Sequence, residues 1–133
     1  MTAVDVSDAA LRLLAAEAAR RGLVGEISLV QADLMAWRPP PASYAVVLCT
    51  GYWDRDLFPA AADAVVEAGL LGWEAFTTGA RRARPQLPAA WCLDTGEPAS
   101  LLPAPFEILS QDDLPHDQAG AKRRLLAQRT VTR

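Results

Sequence analysis

Short apolar runs alternate with amphipathic stretches along this chain, a pattern typical of strands followed by helices. Residues 3–6 contain two β-branched valines and are predicted to form a strand. A helix is predicted to follow Ser7, whose hydroxyl group suits an N-cap. The apolar positions of that helix fall on one face, and Gly22 marks its end. Residues 26–30 form a second predicted strand. The continuous apolar run at 44–49 predicts a strand that is buried on both faces of a parallel sheet.

The alternation continues through the second half of the chain. A helix is predicted from Asp54 or Asp56 to Glu67, a strand over 70–77, and two closing strands over 106–110 and 123–131. Strands that alternate with helices predict an α/β fold with a doubly wound, mostly parallel sheet covered on both sides.

Length and composition predict a single domain over residues 1–133. The chain is 51% hydrophobic, which is enough for a buried core and too much for a disordered protein. No apolar run approaches the roughly 18 residues of a membrane span, and no signal segment opens the chain. We therefore expect a cytoplasmic protein without a membrane partner. Cys49 and Cys92 are too few and too scattered for a disulfide framework or a metal site.

Charge gives a further expectation about partners. The net charge of -3 argues against a nucleic-acid partner, because phosphate binding draws on clustered Lys and Arg. The short basic clusters at 81–84 and 122–124 are interpreted as solvated loop and strand ends. The polar stretch 112–117 contains the only histidine, His116, a candidate general base. A surface loop is the simpler interpretation of this stretch, and no metal site is predicted there.

Candidate chemistry lies where the predicted strands end, because ligands bind beyond the carboxyl ends of strands in open parallel sheets. Asp5 closes the first strand, and its carboxylate could accept hydrogen bonds from both hydroxyls of a ribose. Asp33 follows the second strand, and with the backbone N–H of Leu34 it could pair with the amino edge of adenine. Cys49 and Thr50 end the third strand, beside the reacting end of such a ligand. The alternative is that both acids only start loops or precede a helix cap.

The aromatic residues after the third strand are candidates for a substrate wall. Tyr52 and Trp53 follow its carboxyl end, although packing in the core is the favoured interpretation. The run Cys49-Thr50-Gly51 is similar to the cysteine motif of RNA cytosine-5 methyltransferases. Val47 and Leu48 stand where that motif has an acid and a proline, so a buried strand cysteine is the better interpretation.

Four segments together resemble a known family. The segments are VDVSDAAL (4–11), QADL (31–34), YAVVLCTGYW (44–53) and EAFT (74–77). They resemble, in order and spacing, the later motifs of class I S-adenosylmethionine-dependent methyltransferases, most closely the small tellurite-resistance-type branch. The resemblance implies a Rossmann-like methyltransferase fold, S-adenosyl-L-methionine as cofactor and a small-molecule methyl acceptor.

The resemblance also implies roles for single residues. Asp5 would hold the ribose, Val6 and Ser7 would flank the adenine, and Asp33 with Leu34 would contact its amino group. Cys49 and Thr50 would line the methionine end. The family acts mainly by positioning an electrophilic methyl group next to a nucleophile, so no catalytic residue is assigned.

One part of the family pattern has no counterpart, which leads us to expect an N-terminally incomplete fold. The eight glycines never form a G-x-G, and the strand and glycine-rich loop that come first in the family are not matched. In a doubly wound sheet that strand lies between the strands at 3–6 and 44–49. Leaving its neighbours unpaired would cost about 1–3 kcal/mol for each buried group. We expect the gap to be closed, either by residues 3–6 pairing beside 44–49 or by a second copy of the chain.

Three functional interpretations follow. The first is methyl transfer to a small acceptor. The second is a non-catalytic, methyltransferase-like remnant that acts as an oligomeric or partner-binding domain. The third is that translation begins upstream and that Met1 is an internal residue.

Overall fold

A computed structural model describes residues 1–115 and 121–132. His116 and Asp117 lie outside the described residues. The helices and strands are β1 (Thr2–Asp5), α1 (Asp8–Arg20), β2 (Ser28–Gln31), β3 (Tyr44–Thr50), α2 (Leu57–Asp63), β4 (Val65–Phe76), β5 (Phe106–Asp113) and β6 (Lys122–Arg129). Four short 3-10 turns lie at Val24–Glu26, Thr78–Arg82, Ala89–Trp91 and Ala99–Leu101. No helix in the described ranges combines the length and the apolar character that a membrane span requires.

The chain separates into two compact units, Met1–Arg38 and Pro39–Arg133, which we call unit 1 and unit 2. Unit 1 is a β-α-β segment in which β1 and β2 run parallel. The Ser7 hydroxyl accepts a hydrogen bond from the Ala10 amide at 3.1 Å, so the predicted N-cap is confirmed. Gly22 follows α1 with a φ of 71°, a left-handed conformation that favours glycine.

Unit 2 contains a four-stranded sheet in the order β3-β4-β6-β5. β3 and β4 are parallel, whereas β6 is antiparallel to both β4 and β5. The prediction of a mostly parallel sheet is therefore not met in unit 2, whose sheet is mixed. The reason is that β5 and β6 follow each other as an antiparallel pair, and β6 inserts beside β4. A single domain over 1–133 stays a prediction.

One face of the four-stranded sheet holds the core of unit 2. The register places Leu71 opposite Ala127 and Trp73 opposite Leu125, and all four side chains are buried. The helix α2 contributes Phe58, which is fully buried. Large side chains on this face remove apolar surface from water, the main favourable term in folding.

The strand β3 differs from its prediction. Val46 and Leu48 are 61% and 70% exposed, so β3 is not buried on both faces. Composition alone predicted full burial, but β3 is the end strand of its sheet and one of its faces is open. Residues 3–6 also do not pair beside 44–49, because β1 pairs with Ser28–Gln31 and forms a separate two-stranded sheet.

An irregularity within β4, where its register with β3 shifts, brings two backbones close together. Ala68 has a φ of 64°, and a Cβ atom placed on the adjacent Gly69 would lie 2.8 Å from the carbonyl oxygen of Ala45. A side chain at position 69 would also lie 2.9 Å from the Val66 oxygen. Glycine is therefore required at position 69 for β3 and β4 to approach each other.

Candidate functional site

The Asp5 carboxylate is fixed at the end of β1 by the turn that follows. Its Oδ1 atom accepts a hydrogen bond from the Ser7 amide at 2.8 Å, as in an Asx turn. Its backbone carbonyl accepts from the Ala32 amide at 3.1 Å, which ties the end of β1 to the end of β2. The side chain is half-buried and forms no ion pair with a described residue. One carboxylate oxygen therefore remains for another hydrogen-bond donor.

Asp33 repeats this arrangement two residues beyond β2. Its Oδ1 atom accepts from the Met35 amide at 2.9 Å, and its carbonyl accepts from Trp37 at 2.8 Å. The side chain is exposed. No hydrogen bond joins the amide of Leu34 to any described residue, so this N–H is available as a donor.

The structure brings the unit 1 candidates together at one edge of a parallel strand pair. Asp5 is in register with Gln31, and Asp33 follows two residues later. Val6 is 64% exposed and extends the same turn with an apolar side chain. Ser7 belongs to the same turn, where its hydroxyl oxygen caps α1. The cofactor roles of these residues remain predictions.

An apolar cavity of unit 1 lies elsewhere. It measures about 110 Å³ and is lined by Ala15, Ala18, Val24, Ile27 and Leu29. None of the candidate residues lines it, so it lends them no support.

Cys49 and Thr50 lie in unit 2 at the carboxyl end of β3. Thr50 is in register with Glu74, and the Gly51 amide donates to the Glu74 carbonyl at 2.9 Å. The Cys49 thiol lies 3.8 Å from the carbonyl of Tyr52. Burial raises the pKa of Cys49 to about 12, so the thiol is protonated at neutral pH. The side chain is half-buried, and a protonated thiol agrees with a structural strand cysteine and not with a thiolate nucleophile.

Trp53 packs in the core of unit 2. It is 3% exposed, and its ring centroid lies 5.5 Å from that of Phe58 and 5.8 Å from that of Trp73. The Trp53 indole N–H has no hydrogen-bond partner among the described residues. Tyr52 is half-buried, and its carbonyl accepts from the Trp73 indole at 2.8 Å. These positions favour the packing interpretation for Trp53, and a role in substrate binding remains a prediction for both residues.

A charged network close to these residues in unit 2 was not predicted from the sequence. The guanidinium of Arg55 donates to both carboxylate oxygens of Glu97, at 2.9 Å and 2.6 Å. The Asp94 amide donates to Oε1 of Glu97 at 2.7 Å. Arg123 donates to the Glu97 carbonyl at 2.8 Å and to the Asp94 carbonyl at 2.9 Å. The network ties residues 94–97 to the loop after β3 and to β6.

Burial and hydrogen bonding act in opposite directions on Glu97. Burial raises the pKa of its carboxyl group. The hydrogen bonds from Arg55 and from the Asp94 amide, together with the positive charges nearby, lower the pKa by more than burial raises it. The net result is a pKa below the ordinary value of 4.5. Glu97 is therefore ionised at neutral pH, and its pairing indicates a structural role. No local signal reveals this pair, since the partners are 42 residues apart in sequence.

The two basic clusters converge on one ring. Arg84 and Lys122 approach Phe76, with the Arg84 Cζ atom 5.0 Å and the Lys122 Nζ atom 5.4 Å from the ring centroid. Arg124 pairs with Glu74 at 2.7 Å. Several of these cations therefore have partners within unit 2, and the prediction of a solvated strand end is wrong for Arg123, whose side chain is only 14% exposed.

Comparison with known proteins shows the fold but not the family. No protein-family model matches the chain, and no curated protein sequence matches it. Among solved structures, N-methyltransferase NodS from Bradyrhizobium japonicum WM9 matches 98% of this chain with a TM-score of 0.70 at 11% identity. Geranyl diphosphate methyltransferase in complex with SAM matches 97% with a TM-score of 0.70 at 12% identity. The [4+2]-cyclase SpnF matches 98% with a TM-score of 0.73 at 15% identity.

The chain spans 73%, 68% and 66% of the lengths of these three structures, in the same order. At such low identities the likeness shows a shared fold. The chain therefore has a Rossmann-like α/β fold similar to that of S-adenosylmethionine-dependent methyltransferases.

Proposed function

We propose that the chain binds S-adenosyl-L-methionine through the strand ends of unit 1 and belongs to a methyltransferase acting on a small-molecule acceptor. One observation carries the proposal. In a chain with a methyltransferase-like fold, Asp5 and Asp33 follow adjacent parallel strands, and each carboxylate is oriented by an amide of its own turn. The closer relation to the tellurite-resistance-type branch and a cytoplasmic location are part of the same proposal.

The residues of unit 1 fit the adenosine end of this cofactor. The oxygen of Asp5 that the Ser7 amide does not use would accept hydrogen bonds from the ribose hydroxyls. Hydrogen bonds to a charged group of this kind contribute about 1.5–3 kcal/mol each. The exposed side chain of Val6 would lie against the adenine, and the Leu34 amide with Asp33 would contact its amino edge.

The bound cofactor would supply an electrophilic methyl group. The residues named here would bind and orient it, and Cys49 and Thr50 are proposed for its methionine end. Because the Cys49 thiol stays protonated, it would act as a neutral lining group. Tyr52 is the better placed of the two aromatic candidates for an acceptor contact, because its side chain is only half-buried.

A second candidate function is a non-catalytic domain that binds a partner. The exposed apolar side chains of β3 favour it. The likeness to a cyclase also agrees with the general rule that one fold supports several functions.

Calorimetric titration of the full chain with S-adenosylmethionine and with its demethylated product tests the first proposal. We expect binding that Asp5→Asn weakens at least tenfold, because the amide keeps the bond from Ser7 but loses the negative charge. The matched control is Asp8→Asn, which changes an exposed acid three residues later that pairs with Arg12. Its affinity should equal that of the unmodified chain. Absence of binding at millimolar ligand would contradict the proposal and favour the non-catalytic domain.

A further inference from the structure

Phe76 closes β4 at the carboxyl end of the parallel strand pair of unit 2. It is in register with Lys122 of β6 and lies two residues beyond Glu74, which is in register with Thr50 of β3. Because β3 and β4 are parallel, Phe76 and Thr50 lie at the same end of this pair. Open α/β sheets bind their ligands at that end. The half-buried Phe76 ring is therefore placed where a ligand of this sheet would lie.

Two cations from distant parts of the chain approach this ring. The Arg84 Cζ atom lies over the ring at 5.0 Å from its centroid, and the Lys122 Nζ atom lies at 5.4 Å. The two positive groups are thus separated by no more than the sum of these distances. Attraction to the face of an aromatic ring helps to hold each group in place. A guanidinium over a ring keeps the N–H donors along its edge, and these match the oxygens of a carboxylate or a phosphate.

The backbone fixes the positions from which both cations reach the ring. The Arg84 amide donates to the Ala80 carbonyl at 3.2 Å, and the Arg84 carbonyl accepts from the Leu87 amide at 3.0 Å. Lys122 lies in the ladder between β4 and β6, and its carbonyl accepts from the Leu114 amide at 2.9 Å. Such preorganisation lowers the cost of ordering these side chains around a ligand.

The charge of this pair is not neutralised within the described residues. Arg55, Arg123 and Arg124 of the same unit each pair with an acid. No ion pair joins Arg84 or Lys122 to a described residue. Two like charges beside one ring repel each other, and an anion bound between them relieves this repulsion. All of these residues belong to unit 2, so the arrangement is defined within one unit.

We infer that Arg84 and Lys122, oriented by the Phe76 ring, bind the carboxylate or phosphate group of a small molecule. Combined with the proposed function, on which this step rests, the site makes the methyl acceptor an anion. Its charged group would lie at the end of β4, and its nucleophile would extend towards the end of β3. A long polyanion is less favoured, because the chain carries a net charge of -3.

Titration of the full chain with inorganic phosphate and with acetate, followed by NMR, tests the site. We expect the side-chain Nε–H resonance of Arg84 to shift, and the ion that binds more tightly identifies the charged group of the ligand. Arg84→Gln and Lys122→Gln should each raise the dissociation constant of that ion at least fivefold. Circular dichroism shows whether each variant is folded.

Arg82→Gln is the matched control. It removes the same charge from an exposed side chain two residues from Arg84, and Arg82 approaches no described aromatic ring. Its affinity for either ion should stay within twofold of that of the unmodified chain. A loss as large as that of Arg84→Gln would indicate unspecific attraction to the basic segment and would overturn the inference.

Phe76→Leu separates the orientation of the cations from their charge. The substitution keeps both cations and an apolar side chain but removes the ring face that holds them. We expect the affinity for the tighter ion to fall at least threefold. Unchanged affinity in a folded variant would contradict the inference.

These titrations contain no S-adenosylmethionine, so their outcome is separate from that of the proposed function. Binding of either ion by a chain that fails to bind the cofactor would support the anion site and contradict only the proposed function. Cofactor binding without a response of Arg84 to either ion would overturn this inference and leave the proposed function standing. A single-stranded oligonucleotide that binds at least a hundredfold more tightly than phosphate would assign the surface to nucleic acid and would also overturn it.

Discussion

Arg55 and Glu97 form a two-point ion pair, with Nε to Oε2 at 2.9 Å and Nη2 to Oε1 at 2.6 Å. The Glu97 side chain is only 9% exposed. Substituting Arg55→Met would leave this buried carboxylate without its main partner. We expect the free energy of unfolding to fall by about 2–3 kcal/mol, less than for a fully buried pair because Arg55 is partly solvated.

Urea denaturation measures this loss, and Arg12→Met is its matched control. Arg12 also pairs with a carboxylate, that of Asp8, but both side chains are largely exposed. Its substitution should cost less than about 1 kcal/mol. Equal losses for the two variants would show that Glu97 is not effectively buried.

The Glu97 carboxyl group also predicts a pH dependence of stability. Its pKa is lowered in the folded protein, so its contribution is present above the unfolded value near 4.5 and is lost as the pH falls through the folded pKa. The difference in unfolding free energy between the unmodified chain and Glu97→Gln should therefore be constant near neutrality and shrink below pH 4.5. Urea titrations between pH 7 and pH 3 measure it. A difference that grows on acidification would contradict the assignment.

Gly69 should tolerate no side chain. A Cβ atom there would lie 2.7 Å from the Cγ1 atom of Val65 and 2.8 Å from the Ala45 carbonyl oxygen, which belongs to a paired strand. We expect Gly69→Ala to lower the unfolding free energy by about 1–3 kcal/mol through overpacking. Gly25→Ala is the control, because nothing lies within 4 Å of its Cβ position. Comparable thermal midpoints for the two variants would contradict the close approach at Gly69.

Cys49 should resist alkylation. With a pKa of about 12, its thiolate fraction at pH 8 is about a thousandfold below that of an ordinary exposed cysteine. In a Cys92→Ser background, mass spectrometry should show iodoacetamide labelling of Cys49 far more slowly than labelling of Ala9→Cys. Rates within a factor of ten would indicate that the thiol is not buried as described.

Local signals predicted the elements of unit 1 well. The cap at Ser7 and the stop at Gly22 bracket α1 within a residue or two, because both act on the backbone beside them. The same logic placed Asp5 and Asp33 at the ends of parallel strands. Such features depend only on nearby sequence, so they are recoverable from it.

Features set by distant partners were not recoverable. The apolar composition of β3 predicted burial on both faces, but burial depends on what packs against a strand, and Val46 and Leu48 remain exposed. β6 runs antiparallel because it pairs with β4, although β5 lies between these two strands in the sequence. Likewise, Arg55 and Glu97 carry no periodic pattern that links them across 42 residues.

The aromatic contact between Trp53 and Trp73 has a spectroscopic consequence. Two indoles 5.8 Å apart at 90° couple their electronic transitions, which gives a couplet in the circular dichroism spectrum. Unit 1 has a single tryptophan, Trp37, and no such couplet can arise within it. Disappearance of the couplet during denaturation therefore reports the unfolding of unit 2. In a Trp53→Phe variant, which lacks the couplet, the helical ellipticity mainly reports unit 1, because α1 in that unit is the longest helix.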